Sequence, residues 1–200
     1  MENKRELILN TMQQLFHEGT AGTASVSDIA NRAGIAKGGL YYYFDSKEAV
    51  MDALVHREYE NVILHCKEVL NNCSGNSIEK LALLLYTYKS SYVDPSLDEY
   101  LHKPQNAALH QKSLAIILNA LADLITPIFE EGVATGIFQT SYPRQYAEIL
   151  LSSFTFLYDP GIFTWTSAEM QDKQKALADM LENGLHAPKG CFSFIYGQID

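Results

Sequence analysis

Two short amphipathic stretches, joined by a turn that begins at Gly34, constrain the fold of this chain more than any other feature. Between residues 26 and 33 apolar side chains recur with the spacing of one helical face, and Gly34 then ends the stretch. A second stretch runs from Lys37 to Phe44. Ile35 and Leu40 can fill the space between two helices that meet at a tight turn. The pattern predicts a helix-turn-helix, whose second helix is the element that enters a groove of DNA.

Helical periodicity continues along the rest of the 200 residues. We therefore predict an all-α fold of about nine helices, with an N-terminal three-helix headpiece. The tail is the exception, because Phe192, Phe194 and Tyr196 alternate as in a short strand. After the headpiece we expect helices at 46–71, 77–92, 95–102, 105–134, 143–158 and 167–185. The expected domains are a helix-turn-helix domain at 1–48, a helical domain at 49–188 and a tail at 189–200.

The charge distribution permits a nucleic-acid partner although the formal net charge is -9. Phosphate binding depends on Lys and Arg, so an acidic chain argues against it at first. The first 50 residues carry five bases and six acids, whereas the remaining 150 carry the large acidic excess. Such a body repels DNA everywhere except at a few well-placed cations, which helps to orient docking.

Composition also bears on location and cofactors. No apolar run approaches the roughly 20 residues that span a bilayer, and the charged N-terminus lacks a signal-peptide pattern. We expect a cytoplasmic protein without a membrane partner. The three cysteines, Cys66, Cys73 and Cys191, show no zinc-site spacing and are expected to be reduced thiols. We expect no metal and no cofactor.

Two pairs of residues in the helix-turn-helix segment lower the stability of their helices but favour contacts with the DNA backbone. Lys37 and Lys47 place cations at the positive ends of two helix dipoles, and a bound phosphate reverses the sign of that interaction. Gly38 and Gly39 each weaken a helix by about 1 kcal/mol relative to alanine. Their missing side chains allow the backbone to approach sugar and phosphate closely.

The four aromatic residues after Leu40 divide between DNA and core. Tyr41 and Tyr42 offer rings for thymine methyl groups and hydroxyls for phosphate oxygens. Tyr43 and Phe44 lie three and four positions beyond Leu40, so we expect them to face the headpiece core.

The headpiece resembles that of the TetR family of transcriptional regulators. The resemblance covers about the first 55 residues and rests on Asp28-Ile29-Ala30, Ala33-Gly34-Ile35, Lys37-Gly38, Leu40-Tyr41-Tyr42-Tyr43-Phe44 and Ser46-Lys47-Glu48. It implies operator contacts by Lys37 and Tyr42 to backbone or base edges, by Ser27 and Lys47 to phosphates, and by residues 38–41 to the groove floor. Two departures are Ala36, where a capping hydroxyl is common, and Gly39, where a side chain often reads a base.

A helix-turn-helix dimer must place its recognition helices about 34 to 36 Å apart, so the body has to supply a two-fold interface. The last two long helices are the candidates, and the resemblance implies a four-helix bundle between subunits. The candidate interface residues are Tyr146, Leu150, Phe154, Leu177 and Leu181. The alternative is that these faces pack only within their own subunit.

The resemblance also implies a small-molecule effector that binds in a cavity of the helical body. The middle helices are rich in aromatic side chains, although such stripes are often plain core. The candidate ligand-binding residues are Tyr86, His110, Phe129, Phe154 and Tyr158.

The resulting hypothesis is a homodimeric repressor that a small-molecule effector releases from double-stranded operator DNA, with the helix at 46–71 as the lever. One alternative is a ligand-independent or activating DNA-binding regulator. A remote alternative is a helical enzyme or a metal or redox protein using His65, Cys66 and Cys73. No nucleophile elbow, phosphate-binding glycine loop or H-E-x-x-H motif supports an enzyme.

Overall fold

The computed structural model describes residues 3–91 and 94–197, and these residues form helices without any strand. The all-α prediction is confirmed. A 3₁₀ turn covers Pro104–Asn106, and a π-helical segment covers Ser153–Leu157. A second 3₁₀ turn covers Ser193–Ile195 in the tail. The α-helices are α1 (Lys4–His17), α2 (Val26–Arg32), α3 (Lys37–Tyr41), α4 (Lys47–Asn71), α5 (Ser77–Ser90), α6 (Pro95–Leu101), α7 (Ala107–Ala134), α8 (Pro143–Ser152) and α9 (Ser167–Gly184).

The strand-like tail is a correction. Phe192 is fully buried, and its ring stacks on Phe138 with centroids 5.8 Å apart. The segment that follows turns into the 3₁₀ helix, which buries Ile195 as well. With no neighbouring strand among the described residues, burial of these side chains decides the backbone conformation.

Two predicted helices end earlier than their periodicity suggests. Helix α3 stops at Tyr41, after which the amides of Tyr43 and Phe44 both donate to the carbonyl of Leu40. Helix α8 stops at Ser152 and continues as the π-helical segment. Helix starts follow local chemistry more closely, because capping boxes begin α2, α5 and α9.

Contacts divide the chain into two compact units. The N-terminal unit comprises Met1–Asn61 and Val93–Ser113, and the C-terminal unit comprises Val62–Tyr92 and Leu114–Asp200. This division differs from the expected boundary at residue 48, because α6 and the first part of α4 belong with the headpiece. Helices α4 and α7 each begin in the first unit and end in the second.

The N-terminal unit has one apolar core. Helix α6 joins this core through Leu97 and Leu101, and the ring of Tyr100 meets the edge of Phe16 at 5.1 Å. The other buried side chains come from α1, α2, α3, the turn after α3 and α4, and they include Ile8, Leu9, Met12, Ile29, Leu40, Phe44, Val50 and Leu54.

A polar link also holds α1 against α4. Arg57 is largely buried and donates to Glu6 at 3.1 Å, Asn10 at 2.8 Å and Gln13 at 3.0 Å. These acceptors follow one face of α1, so a single guanidinium fixes three turns of that helix.

The C-terminal unit is built on the C-terminal part of α7. Ile117, Leu121 and Ile125 are fully buried. Phe129 packs against Phe138 with ring centroids 5.5 Å apart, and Gly132 leaves the room that the second ring needs. A Cβ at residue 132 would lie 2.2 Å from the Phe138 ring.

Helix α7 bears on the expectation that the protein has no membrane partner. With the turn before it, it forms a 31-residue helix, Pro104–Ala134, whose most apolar window has a mean hydropathy of 1.5. By length and composition alone this helix can cross a membrane. One such helix is weak evidence, since core helices pass the same test and Ile117, Leu121 and Ile125 are buried.

Candidate nucleic-acid interface

The helix-turn-helix begins with a complete capping box. The Ser25 hydroxyl accepts from the amide of Asp28 at 3.2 Å, and the Asp28 carboxylate accepts from the amide of Ser25 at 2.8 Å. The hydroxyl of Ser25 also donates to this carboxylate at 2.7 Å. These hydrogen bonds lower the pKa of the Asp28 carboxyl below its usual value. The start of α2 is therefore fixed by residues three positions apart.

The turn between α2 and α3 requires a glycine. Gly34 has a φ of +65°, a backbone conformation that favours residues without a Cβ. The next amide, of Ile35, donates to the carbonyl of Ala30 at 3.0 Å and draws the chain back across the end of α2. This tight return sets the position at which α3 begins.

Helix α3 has one buried and one exposed side. Leu40 is fully buried, whereas Lys37 and Gly38 are exposed and Tyr42, at the end of the helix, is 83% exposed. Tyr41 is also exposed. One leucine therefore anchors the helix, and the predicted DNA-contacting residues lie on its solvent side.

The two glycines of α3 are not required by packing within the protein. A Cβ built on Gly38 or Gly39 meets no atom within 4 Å, and neither residue has a positive φ. Alanine would fit at either position and would favour the helix. Close approach of an external partner to the backbone would explain why glycine occupies both positions.

The two predicted cations of the interface differ in their surroundings. Lys37 is exposed and makes no hydrogen bond or ion pair with any residue that the structure describes. The ammonium of Lys47 donates to the carbonyl of Gly22 at 2.7 Å. Partial burial lowers the pKa of Lys47. Ser27, the other predicted phosphate contact, is half-buried on α2.

Among the residues beside α3, Phe44 is buried as predicted, Tyr43 is not, and Arg5 makes a contact that the sequence analysis did not predict. Phe44 is buried as predicted, but Tyr43 is 37% exposed and packs edge-on against Tyr42. The amide of Phe44 still donates to the Leu40 carbonyl four positions back, whereas the ring of Tyr43 lies against the exposed Tyr42. Arg5 was not predicted, yet its guanidinium lies 5.5 Å from the centroid of the Phe44 ring. No local pattern signals a contact across 39 positions.

Each predicted ligand-binding residue has its own surroundings. Tyr86 is half exposed on α5, Phe129 is sealed against Phe138, and His110 is buried on α7. Phe154 and Tyr158 do meet, with ring centroids 5.4 Å apart.

The C-terminal unit also carries an open groove of about 700 Å³, and none of the five predicted residues lines it. Helix α9 and the tail contribute most of its lining, and Lys89 of α5 completes it. The apolar side chains along it are Trp165, Met170 and Ile195.

Three of the predicted dimer residues are buried within their own unit. Leu150, Leu177 and Leu181 are 0%, 5% and 2% exposed within their own unit and have no surface to offer a partner. Tyr146 packs its hydroxyl over Gly184, where a Cβ would lie 2.4 Å away. Phe154 is half-buried.

The apolar surface of α8, the π-helical segment and α9 comes from other positions. Ile149, Phe156 and Met180 are each more than half exposed. The sequence pattern marked the apolar helices correctly but assigned their buried faces to the partner.

The alternative of a metal or redox site at His65, Cys66 and Cys73 loses support. Cys66 is fully buried, and burial raises the pKa of its thiol to about 11. A metal or redox site needs the thiolate, which this environment disfavours.

The fold and the exposed helix α3 define a helix-turn-helix DNA-binding protein with a helical body. The family model of bacterial regulatory proteins of the tetR family matches residues 8–54, and that of the tetracyclin repressor-like C-terminal domain matches residues 89–180. The chain belongs to the TetR family and is a DNA-binding transcriptional regulator. Regulators of this family bind operator DNA and small-molecule ligands as homodimers and are generally non-enzymatic.

Relatives and solved structures cover most of the chain. The transcriptional repressor KstR2 of Rhodococcus jostii is 27% identical over 161 residues, which are 78% of this chain and 75% of the relative. The fatty acid degradation regulator FadR from Bacillus halodurans has a TM-score of 0.60 at 21% identity, covering 100% and 97% of the two chains. Thermus thermophilus FadR in complex with lauroyl-CoA has a TM-score of 0.57 at 17% identity, covering 93% and 100%. These two structures support the fold alone.

Proposed function

We propose that this regulator is a homodimeric repressor that binds a two-fold operator through α3 and leaves it when a small molecule binds the C-terminal unit. The observation that carries the DNA part is the exposed side of α3. Lys37, Gly38 and Tyr42 are exposed to solvent, and the described ring contact of Tyr42 is with the exposed Tyr43, while Leu40 holds the helix on the core. This arrangement lowers helix stability and suits a partner that supplies phosphate.

Backbone contacts dominate the proposed DNA complex. The Lys37 ammonium and the Tyr42 hydroxyl bind phosphates or base edges, and the two glycines bring the backbone of α3 against the groove. The Lys47 ammonium has three N–H donors and uses one for Gly22, so two remain for a phosphate. Arg5 adds a cation beside Phe44. Base readout from α3 then rests on few side chains.

The proposed dimer uses the exposed apolar positions of the C-terminal unit. Ile149 on α8 and Phe156 in the π-helical segment are each more than half exposed, and Met180 supplies an exposed apolar position on α9. Two such faces related by a two-fold axis bury each other's apolar surface.

The effector part rests on the family and its relatives. KstR2 carries the name of a repressor, and the Thermus thermophilus FadR structure holds lauroyl-CoA. Helices α4 and α7 continue from the N-terminal unit into the C-terminal unit, so two helices connect the effector-binding unit with the headpiece core. Release requires that the effector bind one of the two conformations more tightly.

A mobility-shift assay tests the DNA part, using a duplex that the protein selects from a random pool. We expect Lys37→Ala and Tyr42→Ala each to weaken binding about fivefold to a hundredfold without lowering the melting temperature. The matched controls are Lys67→Ala and Leu64→Ala, which truncate exposed side chains of α4 in the C-terminal unit. Equal affinities for all four variants and wild type would refute the assignment of α3.

The effector part is tested with the same duplex. A thermal-shift screen that includes lauroyl-CoA identifies compounds that raise the melting temperature, and these compounds should release the duplex. Stabilising compounds that leave the complex intact, or a screen without any stabilising compound, favour the ligand-independent regulator instead.

A further inference from the structure

Two buried hydroxyls of the C-terminal unit, those of Ser77 and Tyr158, lack a partner among the described residues, and that of Tyr158 belongs to a ring that contacts Phe154. Tyr158 follows the π-helical segment, and its amide donates to the carbonyl of Ser153 at 2.9 Å. Its hydroxyl is sealed from solvent and makes no hydrogen bond within the described residues. Leaving a buried hydroxyl unpaired costs free energy, so such a group needs an explanation.

Two polar side chains that flank Tyr158 along the chain are paired with backbone carbonyls. The hydroxyl of Thr155 donates to the carbonyl of Leu151 at 3.0 Å, and the indole N–H of Trp165 donates to the carbonyl of Leu157 at 2.8 Å. The remaining neighbour with a described contact is the ring of Phe154, 5.4 Å away and edge-on. The Tyr158 hydroxyl is thus an unused donor beside an aromatic ring.

The chemistry of the site selects an uncharged acceptor. Burial raises the pKa of Tyr158 to about 12, so the phenol keeps its proton and acts as a donor at neutral pH. The same burial disfavours a carboxylate placed against it. A carbonyl oxygen of a mainly apolar molecule pairs with the hydroxyl without bringing in a charge.

The irregular backbone before Tyr158 is a candidate path by which a ligand can reach the hydroxyl. A π-helical segment interrupts the regular helix immediately before Tyr158, and such interruptions occur frequently at functional sites. Because the hydroxyl is sealed, protein atoms around it must move before a ligand reaches it, and the π-helical segment adjoins Tyr158 in the chain. Movement of this segment would also shift Phe156, a residue of the proposed dimer face.

We infer that the Tyr158 hydroxyl is the hydrogen-bond donor that fixes the carbonyl oxygen of an apolar, uncharged acyl group, with Phe154 packing beside that group. This inference rests on the proposed effector function and names the chemical class of the effector. The CoA moiety of an acyl thioester lies outside this contact.

The test compares two probes that differ in the carbonyl alone. Lauroyl-CoA has a thioester carbonyl, and dodecyl-CoA is the thioether without it. By calorimetry, wild-type protein should bind lauroyl-CoA about fivefold to tenfold more tightly than dodecyl-CoA, the difference that one hydrogen bond makes. Tyr158→Phe protein should bind both probes with equal affinity. Tyr43→Phe, which removes an exposed phenol of the headpiece, should keep the wild-type ratio.

Stability supplies the second readout. Since the hydroxyl has no partner in the free protein, Tyr158→Phe should melt at or above the wild-type temperature. A lower melting temperature, an unchanged probe ratio, or wild-type protein that binds neither probe overturns the inference. Operator binding of the ligand-free protein, measured separately, tests the regulator itself and does not depend on Tyr158.

Discussion

The ammonium of Lys47 donates to the backbone carbonyl of Gly22 at 2.7 Å, across 25 positions of the chain. This hydrogen bond joins the start of α4 to the loop that precedes α2. It holds a cation near the positive end of the α4 dipole, where a cation alone is unfavourable. The contact therefore holds the Lys47 ammonium where it can also bind an anionic group such as a phosphate. It also fixes the loop at Gly22 against the start of α4.

Replacing this lysine should affect stability slightly and DNA binding clearly. Lys47→Met keeps the aliphatic stem but removes the donor, and the lost hydrogen bond should cost about 0.5 to 1.5 kcal/mol of unfolding free energy. If the remaining donors contact phosphate, operator affinity should also fall, and the slope of log affinity against log salt should decrease by about one. Titrations of the selected duplex at several salt concentrations measure this slope. An unchanged slope would show that Lys47 serves the loop alone.

Alanine in α3 should separate stability from DNA binding. Gly39→Ala meets no atom of the protein, so helix propensity should raise the unfolding free energy by up to about 1 kcal/mol. The added methyl group should weaken operator binding, because it occupies space that the DNA backbone needs. Thermal melts and mobility shifts on the same preparation give both values.

Gly22→Ala is the matched control for this substitution. Residue 22 also has open space at its Cβ position, and alanine leaves the carbonyl that Lys47 contacts unchanged. Gly39→Ala protein that is more stable and binds operator with wild-type affinity would contradict close backbone approach by DNA.

The helix-turn-helix is predictable because its determinants are close together in sequence. The capping box of Ser25 and Asp28, the positive φ of Gly34 and the burial of Leu40 all follow from local spacing. Helical spacing from Leu40 also predicts the burial of Phe44, whose amide donates to the Leu40 carbonyl four positions back, although α3 itself ends at Tyr41.

The C-terminal unit is less predictable because its determinants are long-range. Periodicity shows that α8 and α9 have apolar faces, but not which face meets its own subunit. Leu150 and Leu177 were assigned to the partner for this reason, whereas the exposed residues are Ile149 and Met180. A ligand cavity likewise depends on how helices pack, and no residue spacing encodes it.

The capping box of α2 should make headpiece stability depend on pH. The pKa of Asp28 is lowered in the folded protein, so its contribution is fully present above the unfolded pKa, near 3.8. This contribution is lost as pH falls through the lower folded value. The difference in melting temperature between wild type and Asp28→Ala should therefore be largest at neutral pH and shrink in strong acid. Circular dichroism melts between pH 7 and pH 2 measure it, and a constant difference would exclude the carboxylate as its source.

The tail should stabilise the C-terminal unit through one ring. Phe192 is fully buried, stacks on Phe138 and donates its amide to the buried carboxylate of Glu182 at 3.3 Å. Phe192→Ala leaves a cavity beside Phe138 and should cost about 3 to 5 kcal/mol of unfolding free energy. Denaturant unfolding of the full-length protein measures this loss.

Phe194, whose ring centroid lies 6.0 Å from that of Phe192, provides the control. It is less buried, so Phe194→Ala should cost clearly less than Phe192→Ala. A strand-like tail would bury residues 192, 194 and 196 alike, because side chains two positions apart share a face. The 3₁₀ turn instead buries Phe192 and Ile195, three positions apart. Ile195→Ala should therefore destabilise the protein more than Phe194→Ala if the tail folds in solution as described, and the reverse order would indicate a strand.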